Sequence, residues 1–98
     1  MLRIVKMTFK VGQEDSFLTH FHASASKIKS FPGCKSLRLL RDQKNTNIFF
    51  TYSRWERAED LEKYRNSELF SSTWAKVKPL FLQRAEAWSV ESIWYDEE

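Results

Sequence analysis

The stretch IFFTYSRWERAEDLEKYRNS, Ile48 to Ser67, changes its period half-way along. From Ile48 to Trp55, aromatic and β-branched residues dominate, a composition that suits a pleated, half-buried strand. Beyond it, Ala58, Leu61 and Tyr64 fall three apart, the spacing of a short helix. Asn66-Ser67 interrupts that helix, and Ser67 is placed to cap a second one. Phe70, Trp74 and Val77 supply the apolar stripe of the second helix. Pro79 disfavours helical geometry at Lys78, so the regular helix ends or kinks there.

Upstream, CKSLRLLR at Cys34–Arg41 reads as another strand, and the polar DQKNTN joins it to Ile48–Trp55 as a hairpin. Pro32-Gly33 stops the helix before it. That helix carries Phe17, Phe21, Ala25 and Ile28 at helical spacing. Glu14 and Asp15 at its start and Lys27 and Lys29 near its end complement the helix dipole. The chain opens on a strand, Leu2 to Val11, which Gly12 ends. Its last strand runs from Ala85 to Trp94, and the acidic tail Asp96-Glu97-Glu98 is expected to fray. The order is βαββαβ with the second helical unit broken in two. This is an α+β, ferredoxin-like arrangement: an antiparallel four-stranded sheet with helices on one face. The 98 residues make one domain, with a folded core over 1–95 and the tail at 96–98.

A sheet covered on one side alternates apolar with polar residues. These strands do so weakly. Val5, Met7 and Phe9 share one face of the first strand, with Leu2 and Ile4 on the other. Ile48, Phe50 and Tyr52 oppose Phe49 and Trp55. Trp88, Val90 and Trp94 oppose Ala85, Ala87 and Ile93. Either set could face the helices. The other would leave an aromatic patch in water, which monomers rarely tolerate. A second copy of the same sheet is the simplest cover, so a homodimer is expected.

Charge excludes some functions. Lys and Arg number 16 against 13 Asp and Glu, and the two signs interleave along the chain. Nucleic-acid binders concentrate cations on one face or arm, so none is expected as a partner. No segment approaches the length of a membrane span. The start of the chain lacks the uninterrupted apolar core of a signal peptide, and a single cysteine, Cys34, forms no internal disulfide. A cytoplasmic location is the default expectation.

Metal and nucleophile signatures are absent from the sequence. His20 and His22 point about 200° apart on a helix and cannot chelate one ion. Cys34 follows Pro-Gly at a strand start, with no cue for a lowered pKa. There is no Gly-rich phosphate loop and no dinucleotide fingerprint. Aromatic residues remain: Trp55, Tyr64, Phe70, Trp74, Trp88 and Trp94 are many for this length. They suit core and interface packing, or an apolar cleft that receives a flat molecule.

Two stretches carry a family resemblance. FPGCKSLRLLRD at Phe31–Asp42 resembles the helix-to-strand junction of the antibiotic biosynthesis monooxygenase family. YSRWERAEDLEKYRNSELFSSTWAKVKPLF at Tyr52–Phe81 resembles its core pattern. There a Trp ends the third strand, followed by a short helix, a polar break, and a Phe and an aromatic or His on the next helix. The matching residues are Trp55, Leu61 to Tyr64, Asn66-Ser67, Phe70 and Trp74. Arg57 departs from the family's small N-capping residue. The haem-degrading branch uses an Asn, a Trp and a His at positions that hold Lys6 (or Met7), Tyr64 and Trp74 here, so haem is not expected.

The resemblance implies a dimeric α+β barrel and oxygenation without metal, flavin or other cofactor. An electron-rich phenol or quinol loses a proton, its anion passes an electron to oxygen, and the radicals recombine. The protein supplies a dry pocket, a base and orientation. On this reading His22 is the preferred base, because Ala25 and Ser26 leave room beside it, although Ser24 is as small on the His20 side. Tyr64 is the second choice, better suited as a hydrogen-bond donor. Trp55, Phe70 and Trp74 are the expected pocket walls. The alternative is a non-catalytic dimeric small-molecule-binding or stress-related protein on the same fold.

Overall fold

The computed structural model describes residues 1–96. Its elements run β1 (Leu2–Thr8), α1 (Glu14–Lys29), β2 (Cys34–Arg41), β3 (Ile48–Trp55), α2 (Ala58–Arg65), α3 (Glu68–Val77) and β4 (Glu86–Val90). A single 3-10 turn, Lys78–Leu80, carries Pro79 and follows α3 directly. The sheet order is β2-β3-β1-β4, and every pairing is antiparallel. This is the ferredoxin-like α+β fold.

Two strands are shorter than the sequence suggests. β1 ends at Thr8 and not at Val11, because the backbone turns at Val11-Gly12, where Gly12 has a φ of 93°. Phe9 keeps one isolated bridge, to Phe81. β4 ends at Val90 and not at Trp94. Its only neighbour is β1, whose first strand residue, Leu2, already lies opposite Val90, so the ladder has nothing to extend along. Ile93, Trp94 and Tyr95 are therefore exposed and outside the sheet. Asp96 is exposed, and Glu97 and Glu98 of the expected frayed tail lie outside the described residues.

The helix ends follow from local chemistry. Ser67 caps α3, its Oγ accepting from the Phe70 N–H at 3.1 Å. The same hydroxyl donates to the Tyr64 carbonyl at 2.6 Å, so one oxygen closes α2 and opens α3. Arg57 gives α2 no side-chain cap, and Asp60 in the first turn pairs with it at 3.5 Å.

The sheet's faces are now distinguished. Val5, Met7, Phe49, Trp55, Ala85 and Ala87 lie toward the helices. Ile4, Tyr52 and Trp88 lie in register across the opposite face, which no helix covers. The core forms two clusters. One holds Met7, Phe9, Phe17, Phe49 and Val77, the other Cys34, Trp55 and Leu61. Burying these apolar side chains supplies the main driving force for folding.

Candidate functional site

A cavity of about 350 Å³ lies between the helices and the inner face of the sheet, lined by members of both core clusters. That volume lies in the range of small-molecule sites. Its longest wall is aromatic. Trp55 stacks on Tyr64 with centroids 5.3 Å apart, Tyr64 meets Phe70 edge-on at 5.3 Å, and Phe70 stacks on Trp74 at 5.6 Å. Consecutive rings from the end of β3, from α2 and from α3 thus support one another. Phe70 and Trp74 line the space and do not fill it. On the β4 side Ala85 and Ala87 contribute small side chains to the wall.

Polar groups cluster among fewer residues. Ser53 faces inward from β3, and its Oγ accepts the Trp55 indole N–H at 3.0 Å. Arg3 of β1, Arg65 at the end of α2, Tyr64, Thr51 and Thr73 also line the cavity. The Arg3 Nη1 donates to Ser89 Oγ at 3.0 Å, across the β1–β4 pair. Burial, and then the Arg65 charge, push the Arg3 guanidinium below its ordinary pKa, with Glu62 opposing. Burial pushes the Tyr64 hydroxyl up to about 12, so it keeps its proton and acts as a donor. Burial likewise raises the Cys34 thiol.

The sequence-based choice of base meets a different geometry. His22 is exposed on α1 and lines no part of the cavity. A wheel centred on Phe21 places the two histidines symmetrically. The buried stripe of α1 is instead Phe17, Ser24 and Ile28, with Ser24 inside it. With Ser24 in the stripe, the inward axis lies about 140° from His22. His20 lies nearer, in a shallow depression between α1 and α3 beside Lys27 and Lys76. No His, Asp or Glu lines the main cavity among the described residues. Tyr64, Trp55, Phe70 and Trp74 do line it. Arg3 and Arg65 were missed, although Arg3 shares its strand parity with Val5 and Met7 and so belongs on their face.

Among the described residues no three His, Cys, Asp or Glu side chains come together to hold a metal ion. No helix among them is long and apolar enough to cross a membrane. Of the two candidates on β1 for the Asn of the haem-degrading branch, Met7 lines the cavity and Lys6 lies on the opposite face. The Trp74 indole offers iron no lone pair, so the position the haem-degrading branch fills with its His holds no ligand here.

Residues 1–76 match the family model described as antibiotic biosynthesis monooxygenase. The chain belongs to the antibiotic biosynthesis monooxygenase family. Among solved structures, similar folds occur in Rv0793 from Mycobacterium tuberculosis (TM-score 0.87, 14% identity, covering 98% of this chain and 97% of that one). PA3566 from Pseudomonas aeruginosa is also similar (TM-score 0.77, 17% identity, 93% of each chain). A structure described as an antibiotic biosynthesis monooxygenase matches at TM-score 0.87 and 19% identity, over 95% of this chain and 99% of that one. At such identities the likeness establishes the fold alone. No curated protein matches the sequence.

Proposed function

We propose that this member of the antibiotic biosynthesis monooxygenase family is a cofactor-independent monooxygenase of small aromatic, quinol-type molecules. The observation that carries this reading is the apolar cavity itself. It is sized for a small molecule, walled by stacked rings and furnished with a proton-holding Tyr64. A flat substrate would lie against Trp55, Phe70 and Trp74, with its oxygen toward the polar residues. Its anion would pass an electron to oxygen, and recombination of the radicals would give a hydroperoxide. Loss of water from that adduct leaves one oxygen atom on the substrate as a carbonyl. Tyr64 orients the substrate oxygen by donating a hydrogen bond, and the aromatic walls exclude water.

The working form is proposed to be a homodimer. Ile4, Phe50 and Tyr52 share the helix-free face of the sheet with Leu40, 44% exposed, Trp88, 45%, and Val90, 38%. Lys6, Arg38, Arg54 and Glu86 lie among them on the same face, so the surface is apolar side chains interleaved with charges, and exposed large apolar residues grouped this way suit an interaction surface. A second copy offers a matching one.

The test of the activity is oxygen uptake with a panel of hydroquinones and anthrones, with the products identified by mass. Uptake and a gain of one oxygen atom are expected for at least one of them. Tight binding of panel members without oxygen consumption would favour the non-catalytic binding protein instead.

A further inference from the structure

The cavity holds positive charge that the protein does not balance from within. Arg3 and Arg65 both line it, and no carboxylate does among the described residues. Arg65 has a partner outside the lining, Glu62 at 3.5 Å, in an exposed pair. Such pairs contribute little and are screened by solvent. Arg3 forms no ion pair among the described residues, and its hydrogen bond goes to the neutral Ser89 hydroxyl. Burial and the nearby Arg65 charge work against the Arg3 cation, and the Glu62 charge offsets them only in part. A partly buried cation beside a like charge is stabilised by an anion, and the cavity that Arg3 lines has room for one.

We propose that Arg3 and Arg65 form an oxyanion-binding end of the cavity, and that its ligand is an aromatic molecule with an acidic hydroxyl, bound as the anion. The inference rests on the cavity being the ligand site, as under the proposed function. It also accounts for the absence of a His or carboxylate from the lining. The ligand's O–H bond breaks, the electron pair stays on oxygen between the two guanidiniums, and the proton passes to solvent water. Lowering the ligand's own pKa makes a protein base unnecessary. Guanidinium suits this role because it holds its charge at any working pH and presents several N–H donors.

The test uses 4-nitro-1-naphthol, whose anion is coloured, and its methyl ether, which cannot ionise. The absorbance of the bound naphthol gives its pKa on the protein, and quenching of tryptophan fluorescence gives the affinity of the ether. In the full chain the bound naphthol's pKa is expected to fall by about one unit or more, a tenfold preference for the anion. Arg3→Met should remove most of that shift while leaving the ether's affinity within about twofold. Arg65→Met, at an exposed site, should reduce the shift and provides a second variant if Arg3→Met fails to fold. An unshifted naphthol with normal ether binding would overturn the anion site and leave the cavity reading standing. A shift that survives in both variants would also overturn it. Failure of both compounds to bind the unaltered protein would remove the cavity reading and the inference together.

Discussion

Trp55 and Ser53 sit two residues apart on the same face of β3, and the buried indole N–H donates to the serine hydroxyl at 3.0 Å. The bond satisfies the one polar atom of a ring that is otherwise packed between Phe31 and Tyr64. Ser53→Ala leaves that N–H buried without a partner, which costs about 1–3 kcal/mol. Urea unfolding should show the loss as a lower midpoint with an unchanged slope. Ser53→Thr retains the hydroxyl and should retain most of the stability.

Gly33, between α1 and β2, has a φ of 90°, and a Cβ there would overlap the Asp60 side chain of α2. Backbone conformation and space both demand glycine at this position. Gly33→Ala is expected to destabilise by roughly 1–3 kcal/mol, read by thermal or chemical unfolding.

The Tyr64 hydroxyl titrates at about 12 in the folded chain, against a reference of 10.0. The folded state therefore holds this proton more tightly than the unfolded state. Its contribution to stability is complete below pH 10 and declines as pH rises toward 12. The unfolding free energy of the unaltered protein should fall more steeply across that window than that of Tyr64→Phe. Equal slopes would show that the hydroxyl is not held in its neutral form.

His22 is exposed and outside the cavity, so His22→Gln should leave ligand affinity and any oxygenase activity unchanged where an imidazole titrates. A change confined to that pH range would return His22 to the mechanism.

Trp88 and Tyr52 flank Ile4 on the helix-free face of the sheet. Light scattering of the unaltered chain at micromolar concentration should give twice the chain mass. Trp88→Glu places a charge on the edge strand β4 of the proposed interface and should yield a monomer with the same far-ultraviolet circular dichroism. A monomer from the unaltered chain would refute the dimer.

The fold was legible because its elements are locally consistent. The aromatic run Ile48–Trp55, the polar break at Asn66-Ser67 and the stop at Pro79 each name one structure, and β2, β3 and the start of α3 follow them residue for residue. The end of β4 was not legible, since it depends on where β1 runs out, a property of the pairing and not of Ile93 or Trp94. The cavity walls Trp55, Tyr64, Phe70 and Trp74 were visible as an excess of aromatic residues. The polar end was hidden. Arg3 reads as an interruption of an apolar strand until the sheet's inward face is known. Ser24 reads as a polar flank, yet it is buried beside Phe17 and Ile28, and the three together place His22 away from the site.

Ser67 is not among the residues that line the cavity, yet its hydroxyl bonds the backbone of both Tyr64 and Phe70. The two backbones that carry those rings are thus joined through a residue outside the lining. Selection can therefore alter the shape of the chamber by changing this one joint while every wall residue stays the same. Relatives with identical linings and different breaks between α2 and α3 would then differ in which molecules they admit, a divergence that a comparison of lining residues alone would overlook.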